Sequence, residues 1–426
     1  MTESGNHRPV AAGNGHVREA AIVGLGIIST IGCSLDEVAE SLRLGRSGIV
    51  LDSERHRLGF RSALTGRIRG FDPQRWRVSQ KLRRMSDEPT WHAYAAATDA
   101  IADAGFLRPE DLQNERCGII FGNDSAIKPA VESIDILRNQ GSTHFIGAGY
   151  IFSAMNSTVT MNLAATLGMQ GANWTVSAAC ASSAHAIGQA MMLIRGGLQD
   201  IVVVGGAQEI NWQAMASFDA LGAFSTRHDR PESASRPFDA DRDGLVPSGG
   251  AACLVMEDLR HARARGARVY GVVRGYGFSS SGQGHLSQPN TDGAMRAIRM
   301  ALASAGVRPD QIDYINAHAT STPVGDLLEA RAIHQVFGDS VPVSSTKSMT
   351  GHECWMAGAS ELVYTTLMAR DKFLAPNLNF SRLDAECPPI SIVRETTPAS
   401  LRLAASHSFG FGGTNAVLVA DYRPHP

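Results

Sequence analysis

What most constrains this chain is the alternation of short, wholly apolar runs with longer segments of helical spacing. AAIVGLG at 20–26, GIIFG at 118–122, IVVVGG at 201–206 and AACLVM at 251–256 have no polar face, so each reads as a buried strand. Between them SLDEVAESLRLG at 34–45, DEPTWHAYAAATDAIADAG at 87–105 and SSAHAIGQAMMLIRGG at 182–197 read as helices. The pattern then repeats, with strands at 269–278, 313–318, 341–345, 401–409 and 416–422 and a helix at 291–306. Such alternation argues for an α/β fold. Residues 1–18 are polar and aperiodic and read as a flexible leader; 19–265 and 266–426 read as two α/β halves divided near Gly266. No Pro/Gly/Ser-rich linker separates the halves, so one fused body is expected.

With 426 residues the chain can bury a large core, and 39 Lys and Arg against 41 Asp and Glu give a formal charge of −2. That balance provides no global pull toward nucleic acid or membrane. No apolar stretch reaches the roughly 18 residues that span a bilayer, and the start lacks the apolar core of a signal peptide, so a cytoplasmic protein is expected. The six cysteines contain no C-x-x-C pair, which leaves neither a zinc knuckle nor a disulfide framework.

Motifs narrow the chemistry further. GLGIIS at 24–29 follows a strand but lacks the third glycine of the dinucleotide fingerprint, no G-x-S-x-G elbow occurs, and the 14 histidines form no ligand pair of metalloprotease spacing. No metal site is therefore expected. In TVSAACASSAHAIG at 175–188, by contrast, a β-prone stretch passes through small residues into a helical pattern. Cys180 would sit at a helix N-terminus, where the dipole favours a thiolate. A buried structural cysteine would look much the same, and His185 reads as a packed helix histidine. His318 in INAHATSTPVGD and His352 in STKSMTGHECWMAGASE, between Lys347 and Glu361, each follow a strand. SFGFGGTNA at 408–416 is a glycine-dense turn whose amide N–H groups could serve an oxyanion. One cysteine, two loop histidines and such a turn make a kit for acyl transfer.

This ordered set (SAACASSAH, NAHATSTPVGD, TKSMTGH and SFGFGGTN) resembles the elongating β-ketoacyl-acyl-carrier-protein (ACP) synthases, type I most closely. The resemblance implies a thiolase-like fold, two related halves in five αβαβα layers, and a tight dimer. It implies a decarboxylative Claisen condensation of an acyl chain, held as a thioester on Cys180, with malonyl-ACP. His318 and His352 would donate to the developing enolate, and Lys347 with Glu361 would form a supporting ion pair. The oxyanion hole would be the N–H groups of Cys180 and Phe411. Thr320 and Thr322 match the threonines that bind the phosphopantetheine arm, and Phe409 and Phe411 match an aromatic gate. No cofactor is bound in such enzymes, whose substrates ride on the phosphopantetheine of ACP.

Residues 54–84 carry ten basic residues, Arg55, Arg57, Arg61, Arg67, Arg69, Arg75, Arg77, Lys81, Arg83 and Arg84, against Glu54 and Asp72. In the family this region docks the acidic carrier protein, so Lys81, Arg83 and Arg84 are candidate docking residues rather than nucleic-acid contacts. The chain departs from the family pattern at Glu353, Cys354, Trp355 and Met356, where small residues are usual, and at Ala319 and His407; such bulk could reshape the acyl pocket. A thiolase would need a second cysteine in the final glycine turn, which is absent, and a type III synthase would use one histidine with an asparagine. A non-catalytic chain-length partner usually lacks the nucleophile. Fatty-acid elongation and polyketide or polyene synthesis both fit, as does a dimer with a copy of itself or with a chain-length-factor-like subunit.

Overall fold

The computed structural model of the protein describes residues 18–282, 286–287 and 290–424. Most of the expected leader, 1–17, lies outside the described residues, but Arg18 is placed, its guanidinium 2.8 Å from Asp200 and 3.2 Å from Asp258.

Eleven strands form one sheet: β1 (Ala20–Ile28), β2 (Cys117–Gly122), β3 (Asn173–Val176), β4 (Ile201–Gln208), β5 (Gly250–Asp258), β6 (Gly271–Ser280), β7 (Tyr314–Asn316), β8 (Pro342–Ser344), β9 (Ser391–Ile392), β10 (Leu403–Phe409) and β11 (Thr414–Asp421). Their order is β9-β8-β7-β10-β11-β6-β1-β5-β4-β2-β3. Read outward from the β1–β6 junction, each half places its strands in the same sequence, β1-β5-β4-β2-β3 and β6-β11-β10-β7-β8. The senses match as well, the two inner pairs of each half being antiparallel and the outer ones parallel. β1 and β6 join the halves antiparallel, with Ala20 opposite Val273.

Helix packing follows the same repeat. α1 (Glu88–Asp103) lies on β1, β5 and β4, and α3 (Thr291–Ala305) lies on β6 and β11 with α4 (Pro323–Phe337) beside it. α2 (Ser182–Arg195) and α5 (Ala357–Asp371) touch each other and strands of both halves, so they form the middle of five αβαβα layers. This is the thiolase-like arrangement. The glycines of GLG explain the intimacy of one outer contact: a Cβ on Gly24 or Gly26 would lie 2.1 or 1.9 Å from the carbonyl oxygens of Ala100 and Ala96. Gly275 and Gly277 stand in the same relation to Ala301 and Ala297 at 2.3 and 2.1 Å, so the motif serves strand-on-helix packing in both halves.

α5 is buried from Ala357 to Met368 without a break. Two of its hydroxyls are satisfied within the helix, Thr365 and Thr366 donating to the carbonyls of Glu361 and Leu362 at 2.7 Å. No helix among the described residues is long and apolar enough to cross a membrane.

Candidate active site

β3 ends at Val176, and the chain turns through Ala179, whose φ of +46° is left-handed, into a single 3₁₀ turn at Ala179–Ala181 and then α2. A non-glycine residue holds that conformation only when its surroundings enforce it. Here the Ala179 N–H donates to Asp124 Oδ2 at 2.9 Å, while Ser182 Oγ accepts from the Ala178 N–H and donates to the Ala179 carbonyl. Cys180 is thereby held, buried, at the start of α2. The backbone N–H groups of Phe411 and of Cys180 itself favour the charged form of its sulfur.

His318 follows β7. Its N–H and that of Ala319 donate to Glu329 of α4 at 2.9 and 2.6 Å, and the N–H groups of Thr320 and Thr322 donate to Asp326 Oδ1 at 3.0 and 3.2 Å. Two carboxylates one helical turn apart thus tie down the whole loop. His352 is anchored by a backbone bond from its N–H to Val246, 2.7 Å, and one from Ser248 to its carbonyl, 2.9 Å. The Cys354 N–H donates to His352 Nδ1 at 3.3 Å, which leaves the neutral ring's proton on Nε2, 3.0 Å from Cys180 Sγ. The two imidazoles meet edge to face with centroids 5.3 Å apart. Ligating atoms of Cys180, His318 and His352 lie within 4.8 Å of one another, a spacing that a soft divalent cation could also bridge.

Burial sets the protonation states. The Cys180 thiol is pushed up to about 12, against the pull of Lys347 and the two N–H groups, so the free protein holds a thiol rather than the thiolate expected from the helix dipole. Burial, then the charge of Lys347, pushes both His318 and His352 well below their ordinary 6.5. Both rings are therefore neutral. Lys347 is buried against Glu361, whose carboxyl is raised by burial and pulled back down by the lysine. Breaking a buried pair strands one charge, so Lys347→Ala is expected to cost about 3–5 kcal/mol of stability in urea titration. The double replacement Lys347→Met with Glu361→Gln should recover most of that loss.

A cleft of about 370 Å³ opens onto Cys180, His318 and His352, and its wall includes Thr320, Thr322, Phe409 and Phe411. Lys347 and Glu361 lie behind this wall. The Phe411 ring stacks on Phe218, centroids 6.0 Å apart, next to Gly412 and Gly413 at φ +75° and +77°. His185 faces Tyr276 and Thr414 with its two ring nitrogens at 2.6 and 2.8 Å, which makes it a packed histidine. Of the basic run, Arg57, Arg61, Arg67, Arg69, Arg75, Arg77, Lys81, Arg83 and Arg84 are exposed. Arg55 does not belong with them: it is fully buried, donating to the carbonyls of Leu64 and Ile210 at 3.1 and 2.7 Å.

Sequence reasoning missed Asp326, Glu329 and Asp124. The first two carry a signal, acids three apart in the first turns of the helix after a Thr/Ser loop; Asp124 has none. The unusual His407 donates from Nδ1–H to Glu329 Oε1 at 3.0 Å, sharing the carboxylate that holds His318. Glu353 points into a buried group of hydroxyls from Ser29, Ser360 and Tyr364.

Residues 18–262 match the family model for the N-terminal domain of β-ketoacyl synthase, and 270–381 match its C-terminal domain. The chain is 42% identical over 407 residues to 3-oxoacyl-[acyl-carrier-protein] synthase 1 of Haemophilus influenzae, covering 95% of this chain and 98% of the relative. Among solved structures, a β-ketoacyl synthase from Burkholderia phymatum superposes with a TM-score of 0.91 at 33% identity, covering 96% of this chain and 100% of the other. The ishigamide ketosynthase/chain length factor follows at 0.89 and 32% identity, with the same coverage.

Proposed function

The chain belongs to the β-ketoacyl synthase family, and from that premise we propose that Cys180, His318 and His352 carry out the decarboxylative condensation of an acyl chain with malonyl-ACP. The observation that carries this reading is a buried thiol at a strand-to-helix junction, 3.0 Å from the Nε2 of a buried imidazole.

In the first half-reaction the Cys180 sulfur bonds to the acyl carbonyl carbon and the carrier's thioester C–S bond breaks. The thiol proton of Cys180 ends on the departing phosphopantetheine thiol. The N–H groups of Cys180 and Phe411 stabilise the tetrahedral oxyanion, and Thr320 and Thr322 hold the pantetheine arm. In the second, the C–CO₂ bond of malonyl-ACP breaks and its electron pair forms an enolate whose oxygen accepts from His318 and His352. The enolate carbon then attacks the acyl carbonyl, and the Cys180 sulfur leaves and regains a proton. The bond electrons come from the carboxylate, so the scheme needs no cofactor. Glu361 holds Lys347 in place, and burial, reinforced by Lys347, keeps both imidazoles neutral. Phe411, followed by the left-handed Gly412 and Gly413, serves with Phe409 as the gate.

The exposed Lys81, Arg83 and Arg84 on the helix Gln80–Met85 suit an acidic carrier protein. Changing all three to Glu is expected to raise KM for ACP substrates about tenfold, with a salt-dependent effect, and to leave turnover of a pantetheine thioester unchanged. The outer edge of β3, with Trp174 40% exposed, suits pairing with a second subunit of the same fold, a copy of this chain or a chain-length-factor-like partner. A cytoplasmic location completes the proposal.

Intact-protein mass after mixing with acyl-ACPs tests it. One acyl adduct per chain, discharged by malonyl-ACP, is expected; absence of any adduct, alone and with a chain-length-factor-like partner, would overturn the reading.

A further inference from the structure

We infer that Trp355 sets the length of acyl chain this enzyme accepts, by closing the apolar side of the cleft behind Cys180; the inference rests on the acyl-enzyme reading above. The cleft lining divides by chemistry. Thr320 and Thr322 offer hydroxyls on one side, while Met215, Phe218, Leu221 and Phe224 offer only apolar surface on the other. A pantetheine amide needs the first, and an acyl tail, which has no hydrogen bonds to make, is driven to the second.

Phe218 and Cys354 line the cleft together with Cys180, and Trp355 does not reach its surface. Trp355 stands behind them: Cys180, Cys354 and Trp355 form one small buried cluster edged by Ala179 and Phe218, with the Phe218 and Trp355 rings 6.1 Å apart. The indole is pinned. Its Nε1–H donates to Ser125 Oγ at 3.0 Å, and Ser125 donates in turn to Glu209 Oε1 at 2.9 Å. Glu209 is itself buried and fixed by the Ile127 N–H and the Asn211 side chain, at 2.9 and 2.8 Å. The backbone cannot retreat either. A Cβ on Gly206 of β4 would lie 2.6 Å from Met356 Cα and 3.0 Å from the Trp355 carbonyl oxygen, so the turn is seated directly on the strand. Swinging the indole aside would break the bond from its N–H to Ser125. A wall held in this way is rigid, and a rigid apolar wall discriminates by about tenfold or more for each methylene that does not fit.

The test is single-turnover acylation of Cys180 by butanoyl-, octanoyl-, dodecanoyl- and hexadecanoyl-ACP, read by intact mass, for the wild type, Trp355→Ala, Trp355→Leu and Ser125→Ala. The wild type is expected to load butanoyl and octanoyl groups faster than hexadecanoyl. Trp355→Ala should raise the dodecanoyl-to-butanoyl rate ratio by roughly tenfold or more, with butanoyl loading within about threefold of wild type. Ser125→Ala, which frees the indole, should raise the ratio less. Trp355→Leu provides the same comparison if the alanine variant does not fold. A ratio unmoved in the Trp355 variants, or a wild type that loads hexadecanoyl as fast as butanoyl, would overturn the inference while leaving the acyl-enzyme reading intact. No adduct from any donor would overturn both.

Discussion

Cys180→Ala takes up no acyl group from any acyl-ACP, and its condensation rate falls by about 10⁴ or more, because covalent capture is lost altogether. The neighbouring thiol cannot stand in. Cys354 lies on the same cleft wall, but burial pushes its thiol well above the ordinary 9.0. Its sulfur is also turned toward the His352 carbonyl at 3.6 Å, and the two amide N–H groups are directed at Cys180 instead. The variant should fold, since the Cys180 side chain makes one side-chain hydrogen bond, to His352, and alanine is smaller. Intact mass and a thermal melt check both halves of this expectation.

His318→Ala and His352→Ala each lower decarboxylation of malonyl-ACP by about 10²–10³, the scale for losing one donor to a developing oxyanion. Acyl loading onto Cys180 should persist in His318→Ala, which separates the two half-reactions. The pH profile provides a further check. An ordinary histidine would gain a proton as pH falls through 6.5, but burial and Lys347 push both rings well below that value. The neutral donors are therefore retained on acidification, and the decarboxylation rate should show no acid limb between about pH 8 and about pH 6. A fall in rate centred near 6.5 would mean that a solvated imidazole does the work.

The strands were legible in the sequence because burial on both faces leaves continuous apolar runs, and β1, β2, β4 and β5 stand where those runs do. α5 was not, for the same reason in reverse: a helix buried on every side has no polar stripe to reveal its period. The cysteine, both histidines and the glycine turn could be found because each lies among residues too small or too polar for an apolar run, although His352 follows a short helix, Lys347–Thr350, rather than a strand directly. Asp326 and Glu329 act through backbone N–H groups of a loop that only the fold brings back onto α4. Arg55 shows the limit of counting charges, since its neighbours in the basic run are exposed while its own guanidinium is consumed by buried carbonyls. In the same way, the expected bulk at 353–356 divides by direction: Glu353 meets Ser29 and Tyr364, Met356 joins the central core, and Cys354 and Trp355 pack with Phe218.

The central claim is that the acyl group held on Cys180 is the electrophile captured by the enolate of malonyl-ACP. It is tested most directly by loading the enzyme with a carbonyl-labelled acyl group, removing free acyl-ACP, adding malonyl-ACP, and measuring carbon dioxide and the labelled product in one turnover. The account predicts one carbon dioxide released for each label transferred, with the label at the 3-oxo carbon of the new carrier-bound chain and Cys180 returned as a free thiol. Carbon dioxide released while the label stays on Cys180, or leaves as free acid, would contradict it.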